Sequence, residues 1–258
     1  MESQSEVIDI AMVSWNRPNF TYWAIKALKD NTLHPYRLIL IDNGSTPQMQ
    51  SMLAALKCEC YIDTLILLDK NYGLEWAKNK VMDYVESPLF VSTDNDILAY
   101  KYDPCWLDRL VNLMDAYPEY AAIGCRPQIL VGTGNIFHEK TDPIIEFSHV
   151  PGYHRIMRTD LVRQAGAWND KRPSRGHEEL WISERLRNMG YKVGWANHVK
   201  CWHLFGEDNW GYEKTLKPEE HGHNPVASLP KDDQIEIMAS TGIDISKDIW
   251  NIENGKMY

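Results

Sequence analysis

Apolar residues arrive in short runs along the first half of the chain, and between those runs they recur at helical spacing. Residues 8–13, 37–41, 64–68 and 88–94 are runs of the length expected of buried strands and are too short for buried helices. Between them, Pro18 opens a helical stretch to residue 28, as proline can in a first turn. Residues 48–56 are helical, and Asn71-Tyr72-Gly73 leads into an amphipathic helix as far as residue 85. A helix at 106–116 and a strand at 121–125 complete the regular part. Strands alternating with helices of this length predict βαβ units, hence an α/β fold with a mostly parallel, Rossmann-like sheet flanked by helices.

The pattern loosens after residue 125. Residues 126–152 are loop-rich, punctuated by Gly132, Gly134, Pro143 and Pro151. A short strand is expected at 155–158 and a helical turn up to Gly166. A helix at 177–189 is closed by Gly190, whose position fits a C-cap. A strand at 193–196 and an apolar segment at 199–204 follow. The tail from Glu207 is polar and aromatic, with two short helices expected near 232–240 and 244–253. Three regions are therefore expected: 1–125, 126–206, and a C-terminal extension at 207–258.

Composition narrows the partners. A net charge of −9 argues against a broad nucleic-acid-binding face, which needs clustered Lys and Arg. It leaves room for a nucleotide held by a metal bridge and a few local donors. The five cysteines (Cys58, Cys60, Cys105, Cys125, Cys201) are scattered, odd in number and without zinc spacing, which suits reduced thiols in the cytoplasm. The N-terminus lacks the basic and apolar regions of a signal peptide, and no window approaches ~18 uninterrupted apolar residues. Ten Trp and thirteen Tyr offer faces for bases and sugars, although core packing accounts for aromatics equally well.

The carboxyl edge of an open α/β sheet is where ligands bind. Here that edge collects Ser14-Trp15-Asn16, Asp42-Asn43, Asn71 and Asp94-Asn95-Asp96. Two carboxylates one residue apart make a hard-oxygen site for Mg²⁺ or Mn²⁺, ions that usually reach a protein together with substrate phosphates. Several of these residues also have plainer uses. Asp42-Asn43-Gly44-Ser45 has the composition of a tight turn. Glu178 and Glu179 suit a helix first turn, where each complements the dipole by ~0.3–1 kcal/mol. His203, between Trp202 and Leu204, reads equally as a metal ligand or a core histidine, and the other histidines lack metal spacing.

In order and spacing these pieces resemble the family 2 glycosyltransferases with the GT-A fold. Ile10-Ala11-Met12-Val13-Ser14-Trp15-Asn16-Arg17-Pro18 is similar to the family's first strand ending in T/S-Y-N-R. Ile39-Leu40-Ile41-Asp42-Asn43-Gly44-Ser45-Thr46 is similar to its V-V-D-N-G-S-T-D. Asn71-Tyr72-Gly73 with Ala77-Lys78-Asn79 resembles N-x-G-x-x-x-A-R-N, with Lys78 where Arg is usual. Asp94-Asn95-Asp96 stands where the family has D-x-D. In the second half, Glu178-Glu179-Leu180-Trp181 with Arg185-Leu186-Arg187 and Gly190-Tyr191 resembles E-D-x-D-L-x-x-R-L-R-x-x-G-Y, with Trp181 in place of an acidic residue.

The resemblance implies a metal-dependent, inverting transferase that moves a hexosyl or pentosyl group from a nucleoside-diphosphate sugar, a UDP-sugar being favoured, to an acceptor hydroxyl. Residues 1–125 would bind the donor and 126–206 the acceptor. Asp96, with Asp94 and His203, would hold Mn²⁺ or Mg²⁺; Asp94 would alternatively bond the ribose. Asp42 would accept from the base, Trp15 would stack on it, and Ser14, Asn16, Arg17, Asn71, Lys78 and Asn95 would complete the nucleotide site. Glu179, or Glu178 in the neighbouring register, would take the proton of the acceptor hydroxyl from within ~3 Å. A sugar-phosphate nucleotidyltransferase would need a glycine-rich loop after the first strand, which Ser14-Trp15-Asn16-Arg17-Pro18 is not. The alternative from another class is a non-catalytic nucleotide- or carbohydrate-binding module on this fold; the acidic triplet and the helix glutamates argue against it, and a turnover assay decides.

Overall fold

The structure, a computed structural model, describes residues 6–127, 141–168, 178–204, 241–243, 250–251 and 256–257. Four strands, β1 (Ile8–Ser14), β2 (Tyr36–Asp42), β3 (Thr64–Leu67) and β4 (Leu89–Asp94), lie parallel in the order β3-β2-β1-β4. Helices α1 (Pro18–Asn31), α2 (Pro47–Cys58) and α3 (Leu74–Val81) connect them. Both α1 and α2 begin with the proline at their first turn, and the Thr46 hydroxyl caps α2 by accepting from the Met49 N–H.

Period-two alternation puts successive strand residues into different layers of core. Ile8, Ile10 and Met12 of β1 and Leu38 and Leu40 of β2 pack into a cluster with α1 and α2. Ala11, Val13, Ile39 and Ile41 join Ala77 and Val81 of α3 in a second cluster. Burial on both faces explains why these strands read as near-continuous apolar runs. The buried Asp9 is a charged exception near the start of β1; it accepts from Arg37 and from the N–H groups of Glu86 and Ser87.

Beyond β4 the sheet changes character. It continues through β8 (Arg155–Arg158), β6 (Tyr120–Pro127), β9 (Lys192–His203) and β5 (Ile97–Ala99), with β7 (Ile144–Glu146) paired to β9. The β4–β8, β8–β6, β5–β9 and β7–β9 pairs are antiparallel, and only β6–β9 is parallel. The sheet is therefore parallel in its first half and mixed in its second. The two segments expected at 193–196 and 199–204 form one continuous strand, and a register shift between Cys125 and Arg126 on β6 accommodates the polar Asn197-His198 in its middle. Helices α4 (Trp106–Ala116), α5 (Thr159–Gln164) and α6 (Glu178–Asn188) cover this half.

The helix expected near 244–253 is corrected at its described residues: Trp250–Asn251 is a strand, β10, paired antiparallel with β11 (Lys256–Met257). The helix expected at 232–240 and the start of the one expected at 177 lie outside the described residues. Among the described residues no helix is long and apolar enough to cross a membrane.

Candidate active site

The ends of β1, β2 and β4 open on a cleft lined by Val13, Ser14, Trp15, Arg17, Asn43, Asn71, Leu74, Asp94, Asn95, Asp96 and His203. One end is built from loops that hold one another. Asp42 is fully buried, and its carboxylate accepts from the Ser14 hydroxyl (3.3 Å), the Ser45 N–H (3.0 Å), the Ser45 hydroxyl and Gln50 Nε2 (3.0 Å). Gly44 makes the turn at φ +73, and a β-carbon there would collide with the Lys70 backbone at 2.1 Å, so only glycine lets the two loops touch. Next to it, Asn43 donates to Asn71 Oδ1 and to the Gly73 carbonyl and accepts from the Tyr72 N–H. The chain leaves β1 through two left-handed residues, Asn16 and Arg17. Asn16 holds that bend: its N–H donates to the Ser45 hydroxyl and its Oδ1 accepts from the Thr46 N–H.

On the other side of the cleft β4 delivers the acidic pair. Asp96 Oδ2 accepts from Arg17 Nη1 at 2.9 Å and lies 3.3 Å from His203 Nε2. Burial works to raise the Asp96 pKa, but the adjacent His203 and Arg17 hold it below the usual carboxylate range. His203 reaches this point because β9 runs antiparallel to β5, pairing His203 with Ile97 directly after Asp96. A core histidine is found instead at His154, which is fully buried, 2.8 Å from the Thr93 hydroxyl and stacked on Trp106, its pKa pushed by burial down to about 3. Asn95 donates to the Thr21 hydroxyl and so ties the acidic turn to α1.

A second cluster lies beside the first. Lys78 of α3 is buried, with Nζ 3.1 Å from Glu178, 3.4 Å from Glu179 and 3.7 Å from Asp94. Desolvation disfavours its charge, but the three carboxylates raise its pKa above the ordinary value. Asp94, by contrast, is pushed up to about 7, first by burial and then by Glu179, Asp96 and Glu178, with Lys78 opposing. Gly152 joins the two halves. Its carbonyl accepts from the Asp94 N–H, its own N–H donates to Glu179 Oε1 at 2.8 Å, and a β-carbon there would meet the Asp94 carboxylate at 2.5 Å. The buried Arg155 lies behind, bonded to the Val150 carbonyl and stacked on Trp168, and its charge also acts on Glu178 and Glu179.

The strand ends of the cleft and their acidic pair fall within the reach of one family, and Glu178, Glu179 and His203 lie beyond the matched residues. Its model, described as glycosyl transferase family 2, covers residues 9–171, more than half of the chain. The chain belongs to glycosyl transferase family 2. Its fold is the GT-A fold, as comparison with solved structures shows. A mannosyltransferase from Pyrobaculum calidifontis, solved with GDP-Man and Mn²⁺, superposes with a TM-score of 0.65 at 16% identity, covering 82% of this chain and 59% of its own. GalNAc-T7 with UDP, GalNAc and Mn²⁺ gives 0.64 at 11% identity, covering 80% of this chain and 45% of its own. TarS from S. aureus gives 0.62 at 12%, covering 78% and 37%. The match thus spans less than two thirds of the length of each. A sequence comparison with curated proteins returns no match.

Within this family 2 fold, the residues singled out in the sequence fall into three places. Ser14, Trp15, Arg17, Asn71, Asp94, Asn95, Asp96 and His203 line the cleft. Asp42, Asn16 and Lys78 do not; they hold the walls, Asp42 and Asn16 within the loops and Lys78 beneath the carboxylates. Glu178 is 4% exposed and fixed to Lys78, whereas Glu179 lies nearer the surface at 18%. Asn43, expected at the ligand edge, does line the cleft, whereas Gly152 and Arg155 were not foreseen. Asn43 was visible inside the turn motif, but a lone glycine and an arginine inside an apolar strand carry no signal until the chain folds.

The saturated Asp42 carboxylate leads to a prediction. Asp42→Ala strands the Ser45 N–H and Gln50, so the protein should lose about 1–3 kcal/mol in chemical denaturation. Asp42→Asn, which keeps one acceptor, should lose less. If Asp42 reads the base directly, Asp42→Asn will instead weaken nucleotide binding at an unchanged melting temperature.

Proposed function

We propose that this chain is a metal-dependent, inverting glycosyltransferase that moves one sugar from a nucleoside-diphosphate donor to an acceptor hydroxyl. One observation carries the reading: Gly152 joins the acidic strand end to Glu179 by hydrogen bonds, so the donor side and a carboxylate of α6 form one assembly. Solved relatives of the fold that hold GDP-Man or UDP together with Mn²⁺ support a nucleoside diphosphate and a divalent cation. Free thiols on all five cysteines fit a reducing, cytoplasmic setting.

The residues present fit a hard cation. Asp96 and His203 meet at one point of the cleft and Asp94 lines the same cleft. Among the described residues no three such side chains converge into a closed cage. An open site with one or two protein ligands is what Mg²⁺ and Mn²⁺ use when substrate phosphates supply the rest. When bound there, the cation neutralises the leaving diphosphate as a Lewis acid. The chain's own residues do the remainder. Trp15, Asn43 and Asn71 flank the nucleoside, and Arg17 offers a guanidinium to the phosphates. Asp42 acts through the loop it anchors, and Lys78 supplies the positive charge between Glu178, Glu179 and Asp94. Glu179 takes the proton from the acceptor hydroxyl as it attacks the anomeric carbon opposite the diphosphate.

Calorimetry of UDP binding tests the metal requirement. Affinity should fall at least tenfold when EDTA replaces Mn²⁺, because diphosphate and the acidic cleft then repel each other. Equal affinity in both buffers would remove Asp96 from the metal role.

A further inference from the structure

Arg17 stands in an unusual place for a nucleotide-binding residue. Its guanidinium donates to Asp96 Oδ2 at 2.9 Å, the same oxygen that faces His203 Nε2 at 3.3 Å. The pair is largely removed from water, with Arg17 16% and Asp96 10% exposed, so their attraction is stronger than that of a surface ion pair. The guanidinium is also delivered from a fixed turn. Arg17 sits at φ +58 immediately before Pro18, and Asn16 is bonded to both Ser45 and Thr46. All three groups, Arg17, Asp96 and His203, line one cleft.

One carboxylate oxygen cannot serve a guanidinium and a divalent cation together without setting like charges side by side in a partly desolvated space. We propose that Arg17 is a displaceable counter-ion of Asp96, so that the guanidinium and the divalent cation compete for Asp96 Oδ2. The nucleoside diphosphate decides the competition, because its phosphates are the alternative partner for the released guanidinium, to which they bind in forked geometry. The cation alone must break the Arg17–Asp96 pair. The cation arriving with diphosphate exchanges that pair for an Arg17–phosphate pair. Metal and donor nucleotide therefore bind with positive coupling, and by linkage each raises the affinity of the other by the same factor. This inference rests on the reading of Asp96 as a metal ligand.

The test measures free Mn²⁺ by electron paramagnetic resonance, with and without UDP, in the wild type, Arg17→Gln, Arg17→Gly and Arg17→Lys. Without UDP, Arg17→Gln should bind Mn²⁺ about tenfold more tightly than the wild type, the size of effect a typical coupling allows. Arg17→Gly should match it, and because glycine accepts a left-handed φ this variant keeps the turn. Arg17→Lys, which keeps the charge, should stay near the wild type. The factor by which UDP strengthens Mn²⁺ binding should be smaller in the Gln and Gly variants than in the wild type. Unchanged or weaker Mn²⁺ binding in both neutral variants, alongside normal Mn²⁺ uptake by the wild type with UDP, overturns the inference and leaves the metal site standing. No Mn²⁺ uptake by any of the proteins, with or without UDP, overturns the metal reading and this inference with it.

Discussion

Glu179→Gln is expected to bind UDP with Mn²⁺ as the wild type does and to lose about 10²-fold or more in kcat. The amide keeps an oxygen to accept from the Gly152 N–H, so the contact that joins the two halves of the site survives. It cannot take a proton, and the step that needs one fails. The neighbouring Glu178→Gln should behave differently. Glu178 is buried against Lys78, and neutralising it leaves a buried ammonium with less compensation. Its signature should be a lower melting temperature with a smaller loss of kcat. Burial raises the Glu178 pKa while Lys78 lowers it, and the net effect is downward, as suits a structural anion rather than a base. Single-turnover rates and thermal melts on both variants decide the matter. The reversed pattern moves the base to Glu178; a few-fold effect from both removes the inverting mechanism.

Asp96→Asn should abolish metal-dependent turnover in an assay of UDP-sugar consumption while leaving the fold intact. Asp96 lies just past the end of β4, where its side chain meets Arg17 and His203 and joins neither apolar cluster. Loss of the carboxylate charge removes the hard ligand for the cation. The asparagine oxygen can still accept from Arg17, so circular dichroism and melting should stay close to the wild type. An unfolded Asp96→Asn protein would mark Asp96 as structural, and full activity in the variant would remove the metal role.

The regular half of this chain was legible because its physics is local. Strands buried on both faces must be apolar throughout, and prolines at Pro18 and Pro47 mark helix starts, so β1 to β4 and their helices fall within a few residues of expectation. Strands β5 and β7, three residues each, are too short to carry a period and exist only because β9 offers them an edge. Together with β8, an expected strand whose antiparallel pairing to β4 and β6 no local pattern shows, they make the sheet less parallel than expected.

The site divides along the same line. The sequence by itself determined the family 2 framework, the acidic strand end and the pair of glutamates, because each is a contiguous motif whose residues must stand next to one another in the chain. Only the tertiary structure decided which of them face the cleft. Asp42 turns out to be saturated by its own loop, Lys78 pairs with glutamates a hundred positions away, and His203 becomes a partner of Asp96 through antiparallel pairing. Gly152 and Arg155 acquire roles only where separate segments pack within hydrogen-bonding distance. Motifs record what one stretch of backbone must do, while charge pairing across elements depends on distances that no linear spacing encodes.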